Sequence, residues 1–487
     1  MKSYRMFIDG DWTDSSDKKL LSVLNPATGQ TIARVPEGSV QDARAAIDSA
    51  HDAFHKGKWP LMTPSERSKI ILRLAELTER SISRLARIES MNQGRPFKEC
   101  RDSDFPFGVD NIRFFAGASR ALEGISSNEF LGSGTSIIRR EPIGVVSCII
   151  PWNYPWMIAV WKMIPAIATG NAVVAKPASL TPLSLLEFGR IIQKAGVPRG
   201  VVNIVTGLGS TVGDEIVKNP KINMVSMTGS TETGKSVMQQ AAGTLKRVSL
   251  ELGGKAPFIV FEDADVNAAA TGAANGAFVN SGQDCTAATR FYVHKRIYEK
   301  FIRAFVSKTE KIRIGNPLDR TTDMGPLISE SHRRKVEKYA DIGRKEGAKL
   351  VVGGRRPRGK QYENGFYFEP TVFIDAEQDM AIVQEEIFGP VVAVLPFEST
   401  DDVIRKANDI AYGLAGSVWT KDIYKATRVA NEIRCGEVWI NDHLPLASEL
   451  PHGGFKQSGF GKDLSVYALH EYTEMRHVYI DTSGHPV

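Results

Sequence analysis

From residue 143 the chain settles into one rhythm: a short apolar run, a turn, then a helical or polar stretch. Gly144-Val145-Val146-Ser147-Cys148-Ile149-Ile150 comes first. Asn171-Ala172-Val173-Val174-Ala175-Lys176, Val201-Val202-Asn203-Ile204-Val205 and Met224-Val225-Ser226-Met227 follow. Runs that are apolar throughout, spaced by crossover-length segments, predict a parallel sheet covered by helices on both faces. Phe258-Ile259-Val260-Phe261, after Gly253-Gly254, opens a second α/β unit. Val391-Val392-Ala393-Val394-Leu395 and Glu437-Val438-Trp439-Ile440 read as its later strands. The 487 residues exceed what one simple core organises, so two or three domains of class α/β are expected.

Ahead of this pattern, Phe7-Ile8-Asp9-Gly10 and Leu21-Ser22-Val23-Leu24 read as short strands, and Asn25-Pro26-Ala27-Thr28-Gly29 as a turn. A helix begins at Thr63-Pro64-Ser65-Glu66, with Thr63 as cap, Pro64 in the first turn and Glu66 closing a capping box. Leu74, Leu77, Leu85 and Ile88 then recur at helical spacing and define its buried face.

The bulk numbers mainly exclude. Hydrophobic content of 42% with 24% charged residues is that of a soluble globular protein. A formal charge of +5 gives no reason to expect nucleic acid as a partner. The densest basic stretch, Arg355, Arg356, Arg358 and Lys360, is interrupted by Pro357 and Gly359 and reads as a solvated hairpin loop. No run has signal-peptide character at Met1-Lys2-Ser3-Tyr4-Arg5-Met6, and the apolar segment after Pro155 is broken by Lys162, so no membrane span is expected. Cys100, Cys148, Cys285 and Cys435 are scattered without zinc or CxxC spacing, which suits reduced thiols in a cytoplasm and no metal site.

Three residues carry the chemistry. Cys285 lies in Ser281-Gly282-Gln283-Asp284-Cys285-Thr286-Ala287, an uncommon context for an inert core thiol. Glu251, between Leu250 and Leu252, is a carboxylate at a strand end, and Asn153 offers an amide within Pro151-Trp152-Asn153-Tyr154-Pro155. A thiolate that attacks a carbonyl, an amide that holds the oxyanion and a carboxylate that activates water together suit oxidation of an aldehyde through a thioester. Taken singly, Asn153 is equally a turn residue and Glu251 a surface carboxylate.

Two turns suggest a nucleotide. Gly207-Leu208-Gly209-Ser210-Thr211-Val212-Gly213 departs from GxGxxG by one residue between Gly209 and Gly213, and a plain strand-to-helix turn explains it as well. Met227-Thr228-Gly229-Ser230-Thr231-Glu232-Thr233-Gly234 also follows a strand and opens a helix, where Thr228, Gly229, Ser230 and Thr233 can meet a pyrophosphate. Lys176 ends its strand at the carboxyl edge, within reach of a ribose or an added phosphate. Ser179 stands where a ribose-gripping acid would repel a 2′-phosphate, so either NAD or NADP is expected.

With these residues assembled, the chain resembles the aldehyde dehydrogenase superfamily from Asn25-Pro26-Ala27-Thr28-Gly29 to Ser458-Gly459-Phe460-Gly461-Lys462. The signatures are Pro151-Trp152-Asn153-Tyr154-Pro155, Leu250-Glu251-Leu252-Gly253-Gly254-Lys255, Gly282-Gln283-Asp284-Cys285-Thr286 and Glu385-Glu386-Ile387-Phe388-Gly389-Pro390. Arg113-Phe114-Phe115-Ala116-Gly117 and Pro451-His452-Gly453-Gly454 bring it nearest to bacterial aminobutyraldehyde and betaine-aldehyde dehydrogenases.

The resemblance implies a fold and a site. A Rossmann-like nucleotide domain (1–123 with 141–251) and an α/β catalytic domain (252–446) would be bridged by a small β oligomerisation part (124–140 with 447–487). Arg476-His477-Val478-Tyr479-Ile480 would add an edge strand that needs a partner, so a homo-oligomer, dimer or tetramer, is expected. The cofactor residues implied are Ile149, Ile150, Pro151, Trp152, Ala178, Leu252 and Gly253, with Glu386 on the ribose and Phe388 against the nicotinamide. Lys162 and Asp463 are implied as a proton relay to Glu251, whose presence favours a free acid over an acyl-coenzyme A product. Phe107, Tyr154, Trp161 and His452 would line an aldehyde tunnel, His452 replacing an aromatic residue common in the family. Asp110, Asp284 and Glu449 would add negative charge near its mouth, and an aromatic wall also favours a cation. The expected substrate is an aminoaldehyde such as 4-aminobutanal. A broad aliphatic, aromatic or retinal-type oxidiser, a non-catalytic member of the fold and a cofactor-free thiol hydrolase remain as alternatives.

Overall fold

The computed structural model describes residues 2–124, 127–131 and 134–483. Two large sheets dominate. The first has eight strands in the order Gly459–Phe460, Arg247–Glu251, Met224–Thr228, Val145–Ile150, Ala172–Pro177, Val202–Ile204, Met6–Ile8 and Asp11–Thr13. The stretch from Arg247–Glu251 to Val202–Ile204 is parallel, and antiparallel pieces close both ends. Because alternate side chains face opposite sides, Val173 and Ala175 enter the core with Trp156 and Phe188, while Ala172 and Val174 enter the one with Ala43 and Ile47. Both faces are covered, which is why these strands are apolar throughout.

The second sheet has seven strands: Lys349–Val352, Thr371–Ile374, Val391–Phe397, Ala288–His294, Ala256–Val260, Ala415–Trp419 and Glu437–Ile440. All are parallel except the edge strand Lys349–Val352, which pairs antiparallel with Thr371–Ile374. In the loop between these two, Arg355 pairs with Glu369 and Arg356 with Glu337 at the surface, as a solvated loop should. A third, antiparallel sheet joins Thr473–Asp481, Gly134–Pro142 and Asn128–Leu131. Thr473–Asp481 is its edge, largely exposed along its length. Of the segments expected to bridge and oligomerise, residues 125, 126, 132, 133 and 484–487 lie outside the described residues, as does residue 1. Among the described residues, no helix is long and apolar enough to cross a membrane.

Local expectations meet two corrections. Phe7-Ile8-Asp9-Gly10 is not all strand: pairing stops at Ile8 because Asp9 and Gly10 turn with φ of 49° and 76°. The long periodic stretch is two helices, Pro64–Glu79 and Ile82–Gln93. Thr78 and Ser81 each turn a hydroxyl back onto a carbonyl four residues earlier, of Leu74 and Leu77, which weakens helix continuation there. The first helix does begin at the capping box, with Thr63 and Glu66 bonding reciprocally.

One edge strand positions the end of the parallel sheet. Gly459–Phe460 pairs with Leu250 and Glu251, and Leu252 N–H donates to the Ser458 carbonyl at 3.0 Å. Gly459 has a φ of +111°, and a Cβ there would lie 1.9 Å from the Leu250 carbonyl oxygen. Only glycine tolerates both constraints. Gly459→Ala is therefore expected to displace the strand end that carries Glu251. The thermal midpoint should fall by roughly 2–4 °C per kcal/mol of lost stability, and aldehyde-dependent turnover should drop more than the melting shift explains; calorimetry and a steady-state assay check both.

Candidate active site

The loop that presents Cys285 is held in an unusual backbone. Asn280, Ser281 and Gly282 take φ of 50°, 59° and 69°, and a Cβ on Gly282 would meet the Gly389 carbonyl at 2.4 Å. Such conformations persist only when surroundings over-determine them. Here Asn280 Nδ2 donates to the carbonyls of Asn153 (3.0 Å) and Gln283 (3.2 Å), Gln283 Nε2 donates back to the Asn280 carbonyl (3.0 Å), and Gln283 Oε1 accepts from Ile328 N–H (2.9 Å). Asn153 Nδ2 donates to the Gln283 carbonyl at 3.2 Å. An amide carries two N–H groups, so a second remains for a ligand. Asn153 is thus fastened to the cysteine loop by both side chain and backbone.

Cys285 opens onto a cavity of about 390 Å³. Phe107, Tyr154, Trp161, Asp284 and His452 line it, as do Thr228, Glu251 and Asp463, so the thiol and the carboxylate face one space. Burial pushes the Cys285 thiol up to about 11, with His452 pulling the other way. Cys100, Cys148 and Cys435 lie elsewhere, the first two buried; burial holds Cys148 at about 12 and Cys435 at about 11.

The acidic residues of the mouth divide. Asp284 accepts from Tyr154 Oη (2.6 Å) and from Thr286 N–H and Oγ1 (2.7 Å each), so its carboxylate ties the wall together. Asp104 is gripped by Arg95 at 2.6 and 3.0 Å, a buried pair whose guanidinium lies 4.9 Å from the Tyr154 ring centre. Asp110 does not line the cavity: it is exposed and accepts from Ser448 Oγ at 2.5 Å. Through Ser448 and Asn111 it is linked to the Trp161 indole N–H, so it helps set that wall from behind. Glu449 is likewise exposed and off the lining. Glu99, half-buried on the lining, was not singled out from sequence. A lone glutamate in a polar stretch gives no signal; only folding brings it to the mouth.

Glu251 is buried and neither carboxylate oxygen has a hydrogen-bond partner among the described residues. Desolvation raises it to about 8, with His452, Lys162 and Lys462 opposing and Asp463 adding to the rise. Gly453 makes room for it: a Cβ there would lie 2.5 Å from Glu251 Oε1. Lys162 Nζ donates to Asp463 Oδ2 at 2.8 Å, both fully buried, while Asp463 Oδ1 has no partner among the described residues. The lysine–aspartate pair therefore stands beside Glu251 without bonding to it, and the relay expected from the sequence is not a continuous chain. Glu437, which the sequence placed only in a strand, accepts from His452 Nδ1 at 2.8 Å.

The nucleotide residues gather on the carboxyl edge of the eight-stranded sheet. Ile149 and Ile150 end one strand, with Pro151 and Trp152 in the loop beyond it, and Lys176 leads into Ala178 and Ser179 at the end of the next. Gly209 and Gly213 bound a wide helical turn after Val202–Ile204. Thr228 ends its strand, Gly229 follows, and Ser230 caps helix Thr231–Ala241 by accepting from Thr233 N–H at 3.2 Å. Leu252 and Gly253 follow Glu251. From the other sheet, Glu386 Oε1 accepts from Gly254 N–H at 2.9 Å, and a Cβ on Gly253 would lie 2.4 Å from Glu386 Oε2. Phe388, at φ 59°, sets its ring edge-on to Trp152 at 5.2 Å.

These residues fit a dinucleotide. Lys176 Nζ is buried, lowered to about 8 by desolvation, and its one acceptor among the described residues is the neutral Pro177 carbonyl, at 2.9 Å. Thr228 Oγ1 is buried without a partner among the described residues, and a Cβ on Gly209 would point into open space. A desolvated amine, an orphaned hydroxyl and an open glycine turn are what ribose and phosphate oxygens would satisfy.

Comparison with known proteins agrees with this geometry. The family model described as "Aldehyde dehydrogenase family" matches residues 12–478. A betaine aldehyde dehydrogenase from Bacillus subtilis is 45% identical over 99% of this chain and 98% of its own length. A phenylacetaldehyde dehydrogenase from Pseudomonas fluorescens is 40% identical over 98% of this chain and 96% of its own. Betaine aldehyde dehydrogenase from Staphylococcus aureus, crystallised with NAD+, superposes with a TM-score of 0.98 at 41% identity, covering 100% of this chain and 96% of that one. The chain belongs to the aldehyde dehydrogenase family, the NAD(P)-dependent oxidisers of aldehydes.

Burial of Glu251 has a measurable consequence. Its folded-state value of about 8 lies above the ordinary 4.5, so the native state keeps a proton that the unfolded chain releases. Stability linked to that proton is fully present below 4.5 and is lost as pH rises through about 8. Glu251→Gln cannot ionise. Its thermal midpoint relative to the native protein should therefore rise between pH 5 and about pH 8 and level off above, as read by scanning calorimetry.

Proposed function

We propose that this protein oxidises an aminoaldehyde, 4-aminobutanal being the test case, to the free carboxylic acid through an acyl group carried on Cys285. The observation that carries this reading is the single cavity onto which Cys285, Glu251 and the half-buried carboxylate of Glu99 all open. Cys285 attacks the aldehyde carbon, and Asn153, through its unused N–H, holds the resulting oxyanion. Lys176, Thr228, Ser230 and Glu386 would hold a nicotinamide dinucleotide, which when bound would supply the electron acceptor for this oxidation. Glu251, with no partner for its oxygens among the described residues, is free to orient water and take its proton when the thioester is hydrolysed. Lys162 and Asp463 bias the charge on Glu251 from a short distance.

The mouth supports a cationic substrate end. Of the carboxylates on its lining, Asp104, Asp284 and Asp463 are committed to Arg95, Tyr154 and Lys162, and Glu251 serves hydrolysis, which leaves Glu99 as the ammonium anchor, with Trp161 and Phe107 as aromatic wall. The chain would work as a homo-oligomer, with the exposed edge Thr473–Asp481 covered by a second copy, and as three units divided at about residues 123, 141, 251 and 446.

Cys285→Ala should abolish turnover, and Glu251→Gln should leave an acyl-enzyme visible by intact mass. In a steady-state panel, 4-aminobutanal should exceed hexanal in kcat/KM, and Glu99→Gln should raise KM for 4-aminobutanal by about tenfold, one desolvated charge contact, while leaving hexanal unaffected. A preference for hexanal of tenfold or more would refute the aminoaldehyde assignment.

Ser179 leaves the ribose end of the cofactor site without a carboxylate. NADP+ should accordingly be accepted alongside NAD+, with a preference for NAD+ below about a thousandfold; Ser179→Glu should shift that preference toward NAD+ by at least about tenfold through repulsion of the 2′-phosphate. Titration of both dinucleotides decides it.

A further inference from the structure

A second cavity, of about 510 Å³, adjoins the one that holds Cys285: Glu99, Val279 and Leu444 line both. The rim they share is firmly built. Leu444 is held at φ 83°, a conformation that a non-glycine residue keeps only when its surroundings impose it. His443, the residue before it, supplies that restraint. Its Nδ1 lies 2.9 Å from Ser417 Oγ, and its Nε2 lies 2.9 Å from the Thr286 carbonyl oxygen. Since Thr286 follows Cys285, the rim is tied to the loop that presents the thiol.

The second cavity differs from the first in charge. Lys98, Lys308 and Lys311 line it, against Asp323 and Glu99. Asp323 is spent, because it accepts from Lys98 Nζ at 2.8 Å and from Arg313 Nε at 3.1 Å. Lys308 and Lys311 have no ion-pair partner among the described residues. They stand three positions apart at the end of helix Tyr298–Thr309, where Lys311 N–H donates to the Lys308 carbonyl at 3.2 Å. One turn therefore presents both ammonium groups to the cavity, beside the apolar surface of Phe278 and Ile312. Passing outward from Cys285, the lining offers first the nucleophile, then the carboxylate of Glu99 on the shared rim, then a pair of uncommitted cations.

We infer that the second cavity is a carboxylate subsite, and that the substrate it serves is an aldehyde longer than 4-aminobutanal. Such a molecule carries its aldehyde at one end, an amine at Glu99 and a carboxylate between Lys308 and Lys311. This rests on the aminoaldehyde reading and extends it outward. The oxidation at Cys285 is unchanged, and the subsite holds only the far end of the chain. Size agrees with the charges. Cavities of roughly 300–1,000 Å³ take ligands of drug size, and 390 Å³ continued by 510 Å³ gives room well beyond a chain as short as 4-aminobutanal. Both lysines are exposed, so each contact is worth only a few-fold in affinity and weakens as salt is added.

A matched pair of substrates tests the assignment: 4-[(2-carboxyethyl)amino]butanal and its carboxamide, equal in length and sharing the amine. At low ionic strength the carboxylate is expected to exceed the carboxamide about fivefold in kcat/KM, chiefly through KM, and molar salt should bring the ratio toward unity. In the double variant Lys308→Gln with Lys311→Gln the ratio should fall below about twofold, while Lys308→Arg with Lys311→Arg should preserve it. Equal kcat/KM for the two compounds in the native protein would overturn the subsite. So would a preference for the carboxylate that survives in the glutamine double variant. Hexanal outrunning 4-aminobutanal would instead defeat the underlying aminoaldehyde reading, which keeps the two failures apart.

Discussion

Parallel pairing is the constraint from which the rest follows. Once Val145–Ile150, Ala172–Pro177, Val202–Ile204, Met224–Thr228 and Arg247–Glu251 run the same way, their carboxyl ends share one edge, and the loops beyond them form one crevice. Asn153, Lys176, Thr228 and Glu251 come from four separate stretches of chain, yet each lies at or just past such an end. The second sheet then brings Cys285 just ahead of Ala288–His294, and Glu386 from the loop before Val391–Phe397, against the same crevice. Neither sheet contains the site. Their apposition does.

The site is also where the molecule accepts unfavourable electrostatics. Glu251 is buried with both oxygens unsatisfied among the described residues, and Lys176 is desolvated against a neutral carbonyl. A buried unsatisfied carboxylate costs on the order of several kcal/mol, and a hydrophobic residue there would be more stable. Both groups stand at the carboxyl edge of the eight-stranded sheet, Glu251 on the cavity wall and Lys176 near the end of a strand in the same sheet, where costs of this kind are characteristic of functional sites. The Arg95–Asp104 pair behaves differently. It is bidentate and closed, with the arginine also packed over Tyr154, so it serves as a strut beneath the mouth.

Much of the α/β fold was legible because buried parallel strands are apolar on both faces and the crossover helices are spaced regularly between them. The Thr63–Glu66 capping box was legible for the same local reason: its bonds lie within one turn. The misread helix around Thr78 and Ser81 shows the limit, since periodicity continues across a break that side-chain hydroxyls create in the backbone. Among candidate site residues, Cys285, Glu251 and Asn153 stood out by their unusual neighbours, and the structure gathers them. Asp110 looked like a mouth carboxylate but is spent on Ser448, a partner 338 residues away. Glu99 and Glu437 gave no signal in a one-dimensional reading.

Sequence alone, then, determined which strands are buried and which side chains are candidates for chemistry, because those depend on neighbours within a few residues. Tertiary structure alone decided which charges meet: Glu437 with His452, Lys162 with Asp463, and Glu251 with no hydrogen-bond partner among the described residues. The reason is one of range. Desolvation and Coulomb energy are set by whatever surrounds a group in space, and a folded chain brings together atoms that its order along the backbone holds far apart.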